Sequence, residues 1–140
     1  MSKNLDEKGN IRKDLLGTES EKLALKFVGN ADSKRGDGGP LTSAQLRRFY
    51  GDVKNLERRF EFRKQSVGEE EAFAAVLPLI KMMKSKVAYA ENPKKRKVPE
   101  VFAKWLKDQI DIIETPKDFE AFLLHFEAVV GFCYGQGMTN

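Results

Sequence analysis

The run LTSAQLRRFYGDVKNLERRFEFRKQ, Leu41 to Gln65, most constrains this chain because it makes sense only as a two-faced helix. At about 100° per residue, Leu46, Phe49, Tyr50, Val53, Leu56 and Phe60 gather on one side, the recurrence of a helix that buries one face. Arg47, Lys54 and Arg58 form a second stripe nearly opposite, with Arg48 and Arg59 at its edge. The first face demands a core to pack against. The second either keeps the helix solvated or holds a polyanion.

The rest of the chain supplies that core with more helices. At 140 residues and 41% hydrophobic content, one small domain with a real core is expected. Residues 1–17 are polar and without a period, and read as a loose arm. Thr18 and Glu21 have the spacing of a capping box before a possible short helix through Leu23, Leu25, Phe27 and Val28. GNADSKRGDGGP, Gly29 to Pro40, reads as a glycine-rich loop, which divides an arm (1–40) from a helical bundle (41–140). Thr42 and Gln45 form a second box at the start of the main helix. Gly51 falls on the basic stripe, where the missing side chain would let a phosphate backbone or a neighbouring helix come close.

Beyond a break at Ser66 to Gly68, Glu69 to Glu71 precede Phe73, Val76, Leu77, Ile80, Met83 and Val87 at helical spacing. Pro78 inside this pattern should kink or divide the helix. Pro99 is placed to start a helix through Phe102, Trp105, Leu106, Ile110 and Ile113. Thr115, Pro116 and Asp118 open the last helix, apolar on nearly every side, which Gly135 and Gly137 close. No strand-like alternation and no repeat occur, so the expected fold is all-α: a compact bundle of about five helices with a loosely ordered N-terminal arm.

Charge is unevenly placed. Residues 34–65 carry nine basic and four acidic groups and residues 81–107 nine and two, whereas 108–140 carry one and six. A basic side and an acidic end suggest a nucleic acid or an acidic protein surface as partner. One cysteine, Cys133, leaves no intramolecular disulfide and points to a reducing cytoplasm. No apolar run approaches the roughly 20 residues that span a bilayer, so no membrane partner is expected.

Catalytic chemistry is not legible, and no catalytic residue, metal ligand set or cofactor is assigned. The single histidine, His125, sits in an apolar helix, where a packed, hydrogen-bonded imidazole is the ordinary role. Cys133 reads as a small buried hydrophobe. Glu120 and Glu127, two turns apart, read as solvent or interface charges rather than an acid-base pair. The basic groups are more informative. Lys54 with Arg58 and Arg59 with Arg63 are like-charge pairs at i,i+4, each mildly unfavourable, which a face chosen only for solubility would avoid. Arginine forks suit phosphate. Pro93 to Val98, PKKRKV, matches a viral nuclear import signal but also reads as an ordinary basic connector.

Three stretches together resemble the small subunit of type III-A CRISPR effector complexes, the Csm group. They are LTSAQLRRFYGDV (Leu41 to Val53), KSKVAYA (Lys84 to Ala90) and FLLHFEAVVGFCYG (Phe122 to Gly135). Ser85 stands where the family often has proline. The resemblance implies a non-enzymatic, all-helical protein whose copies stack along the complex, beside its other subunits, and line the path of guide and target RNA. Arg47, Arg48, Lys54, Arg58 and Arg59 are the expected phosphate contacts, assisted by Lys84 and Lys86, without sequence specificity. The alternative is a helical adaptor whose basic face meets an acidic partner protein.

Overall fold

The computed structural model describes residues 3–28, 40–92, 94 and 98–138. The glycine-rich loop before Pro40 and most of the PKKRKV run lie outside the described residues. Five α-helices follow in order: α1 (Ser20–Val28), α2 (Ser43–Val67), α3 (Glu69–Ala90), α4 (Glu100–Ile112) and α5 (Pro116–Gly135). No strand pairs among the described residues, apart from an isolated bridge between Leu5 and Ile11.

Local chemistry sets the boundaries. Thr42 caps α2 by accepting from the Gln45 backbone N–H at 3.2 Å, while the Gln45 side chain accepts from the Thr42 N–H at 3.1 Å. Thr115 and Asp118 repeat this reciprocal box at α5, with Pro116 in its first turn. Gly137, with φ of +90°, follows that helix as a left-handed exit.

Gly68 alone separates α2 from α3. Its φ of +87° and ψ of 169° fall in a region essentially closed to residues with a side chain. An added Cβ would meet nothing within 4 Å. Gly68→Ala should therefore cost about 1–3 kcal/mol through backbone strain alone, measured by urea unfolding. A neutral substitution would contradict this reading of the turn.

Two local expectations are corrected. Thr18 does not cap a helix: it lies inside a π-helical turn, Leu15–Glu19, that runs directly into α1. Pro78 does not divide α3, which continues from Glu69 to Ala90. Pro78 and Ala74 both lie on the exposed face, so the Ala74 carbonyl that loses its partner stays on the wet side of the helix.

The core is aromatic and joins all five helices. Phe102 of α4 meets Phe27 of α1 edge-on at 5.2 Å, Phe49 of α2 at 5.8 Å and Phe126 of α5 at 6.5 Å between ring centroids. Phe60, Phe73 and Phe119 form a second group where α2, α3 and α5 converge. The core face expected for α2 is buried as written, with Leu46, Phe49, Val53, Leu56 and Phe60 inside and Tyr50 half-buried.

The short helix near the N-terminus is present and docked. Leu15, Ala24 and Phe27 are fully buried, and α1 packs along α5 and touches α4. Asn4 Nδ2 donates to Gln109 Oε1 at 2.7 Å in a buried contact with α4. Ser20, His125 and Trp105 form a second buried polar chain: Trp105 Nε1 donates to His125 Nε2 at 3.1 Å, and Ser20 Oγ lies 2.8 Å from His125 Nδ1. An indole N–H can only donate, so Nε2 is the acceptor and Nδ1 carries the proton. That proton goes to Ser20 Oγ, whose hydroxyl donates in turn to the Leu15 carbonyl at 2.6 Å.

Candidate nucleic-acid interface

The helical period divides the basic residues of α2 into two lines. Arg47, Lys54 and Arg58 fall within about 40° of one another on the wheel, and Arg48 and Arg59 lie about 100° further round. The second line faces the furrow between α2 and α3: Arg48 lines it together with Lys86 and Tyr89, and Arg59 lines it together with Leu79, Met82 and Lys86. The five residues are therefore on one helix but not on one face.

Their pairing differs as much as their position. Lys54 Nζ is 2.6 Å from Glu57 and lies 5.9 Å from the centre of the Tyr50 ring. The hydrogen bond to Glu57 raises its pKa. Lys84 binds both carboxylate oxygens of Asp111, at 2.9 and 3.0 Å, and Lys86 is 3.5 Å from Asp52. Arg47, Arg48, Arg58 and Arg59 are exposed and make no ion pair among the described residues. The two doublets, 47/48 and 58/59, are eleven residues apart, which places them roughly 16 Å apart on nearly the same face.

Desolvating phosphate contacts come most readily from these four arginines. Arginine is less strongly hydrated than lysine and presents a planar fork of donors. The lysine ion pairs are exposed, however, and an exposed pair is worth about 0–1 kcal/mol, so Lys84 and Lys86 can exchange a carboxylate for a phosphate at small cost. Gly51 lies in the first line between Arg47 and Lys54, and a Cβ there would meet nothing within 4 Å. Among the described residues no contact asks for glycine at this position.

The furrow also carries apolar groups that periodicity had not marked as exposed. Phe62, Met82 and Tyr89 are 78%, 61% and 69% exposed, and each lines it. Phe62 was legible in principle, since it points away from the α2 core face. Met82 and Tyr89 were equally legible, since both fall opposite the Phe73, Val76, Ile80, Met83 and Val87 face of α3.

The groups weighed for catalysis lie elsewhere. His125 is buried in its bonded chain, and burial, the largest cause, pulls its pKa down to about 4. Cys133 is buried and its thiol is pushed up to about 12, so it stays protonated. Glu120 is 3.7 Å from Lys117 on the surface, and Glu127 is exposed. Among the described residues no three His, Cys, Asp or Glu side chains gather where a metal could be held, and no helix is long and apolar enough to cross a membrane.

Comparison with known proteins returned no match among curated proteins and none among solved structures. A family model described as Csm2 Type III-A matches residues 19–135, a span that includes all five helices and every basic residue considered above. The chain accordingly belongs to the Csm2 family of type III-A CRISPR systems.

Proposed function

We propose that this subunit grips the backbones of guide and target RNA through α2 and stacks in several copies beside the other subunits of its complex. Family membership makes it a small structural subunit of a type III-A CRISPR effector complex. The reading rests chiefly on one observation: four exposed arginines in two doublets, none of them engaged in an ion pair among the described residues. A phosphate that replaces water at such a group releases condensed counterions, so the gain is electrostatic and independent of base sequence. Lys54, Lys84 and Lys86 assist after giving up their carboxylate partners.

The test is charge removal in the assembled complex. Arg47→Gln, Arg48→Gln, Arg58→Gln and Arg59→Gln together should weaken binding of unrelated RNA sequences by a similar factor, about tenfold or more. Lys54→Gln alone should do less, because the wild-type lysine is already paired with Glu57. Unchanged affinity in the quadruple variant would overturn the assignment.

A further inference from the structure

One end of the α2–α3 furrow deepens into a pocket of about 530 Å³, within the range of small-ligand sites. Phe49, Ala90 and Val98 are buried side chains at its floor, and Tyr89 stands at its side, 69% exposed. Arg48 and Lys86 bring positive charge to its rim, where Asp52 adds one carboxylate 3.5 Å from Lys86, an exposed pair that Lys86 can give up for a phosphate at small cost. Gln45 and Ser85 add polar groups. The Gln45 oxygen is engaged in the α2 capping box, which leaves its amide N–H groups to donate. Ser85 Oγ donates to the Met82 carbonyl and retains lone pairs to accept.

We propose that this pocket takes one unpaired nucleotide of RNA, with its base stacked on Tyr89 and its phosphate held by Arg48 and Lys86. The proposal rests on the RNA-contacting reading and adds to it a contact with the base itself. An aromatic face beside cations is what single-stranded nucleic acid binds without reading sequence, because every base has a π-face. Gln45 and Ser85 offer one donor site and one acceptor site to the edge of the base, too few for strong discrimination. A duplex cannot use the pocket, since its bases are already stacked and paired. An acidic partner helix fits less well, because such a helix needs apolar anchors at i, i+3 or i+4 and i+7 along its groove. Here Lys86 and Arg59 interrupt the series formed by Tyr89, Met82 and Phe62.

Binding of the full-length protein to a 12-nucleotide single strand, to the same strand in duplex and to adenosine monophosphate tests this. Tyr89→Ala should weaken the single strand about tenfold and the duplex less than about twofold, and Tyr89→Phe should keep most of the affinity. Ser85→Trp, which fills the pocket from an exposed position, should reproduce the loss. Adenosine monophosphate should bind more weakly than the strand and lose affinity in the same variants. The proposal falls if Tyr89→Ala leaves single-strand binding unchanged, if Phe is as damaging as Ala, if the mononucleotide binds as tightly as the strand, or if Ser85→Trp leaves single-strand binding unchanged. Failure here with a loss on arginine removal leaves the backbone-contact reading standing. Failure in both sets of variants removes both.

Discussion

Phe102→Ala should destabilise the protein by about 3–5 kcal/mol, the usual cost of emptying a fully buried aromatic site. Phe102 has no exposed surface and stands between α1, α2 and α5, with Trp105 beside it on its own helix at 5.9 Å. No single neighbour can move in to fill the space without abandoning the others. Since a domain of this size has about 5–15 kcal/mol in total, the variant should lose a large part of its margin. The urea midpoint should drop with little change in slope, and Phe102→Leu should lose far less. A loss below about 1 kcal/mol would show that the four helices do not meet at this ring.

The second large effect is a loss of stability in mild acid. His125 has its folded pKa drawn down to about 4 by burial, with the nearby Arg12 charge adding to the shift and the Leu15 carbonyl opposing it. The unfolded chain, at about 6.5, then binds the proton more readily than the folded one. This contribution is complete above about pH 6.5, declines as pH falls, and is gone below about pH 4, for a total of roughly 3 kcal/mol. Protonated Nε2 would face the Trp105 N–H as donor against donor. Carboxylates titrate in the same interval, so the measure is the difference in slope between wild type and His125→Gln from about pH 7 to 4. Parallel curves would contradict the buried neutral imidazole.

The two cases show what the amino-acid sequence could reveal. The core face of α2, its capping box at Thr42 and the box at Thr115 were all readable, because each depends on residues within one or two turns. The Ser20–His125–Trp105 chain and the Asn4–Gln109 pair were not, since the partners are as much as 105 positions apart. That Pro78 leaves α3 undivided was not readable for a related reason: its effect depends on which face it occupies, and that face is wet.

The candidate interface was half legible. A helical wheel locates Arg47, Arg48, Lys54, Arg58 and Arg59 and offers Lys54 the Glu57 carboxylate at i,i+3, but says nothing of partners on other helices. Tertiary packing brings no carboxylate to the arginines among the described residues. It also assigns Arg48 and Arg59 to the α3 side, where exposed Tyr89, Met82 and Phe62 lie in the same furrow.

The most direct test of the central claim is the salt dependence of RNA binding by the assembled complex. With α2 gripping phosphates, the logarithm of affinity falls linearly with the logarithm of salt concentration. Removing Arg47, Arg48, Arg58 and Arg59 should make that slope shallower by roughly 3, from about 0.7 for each single-strand phosphate that is no longer neutralised. An unchanged slope, at any affinity, would mean that these four arginines do not hold the RNA backbone.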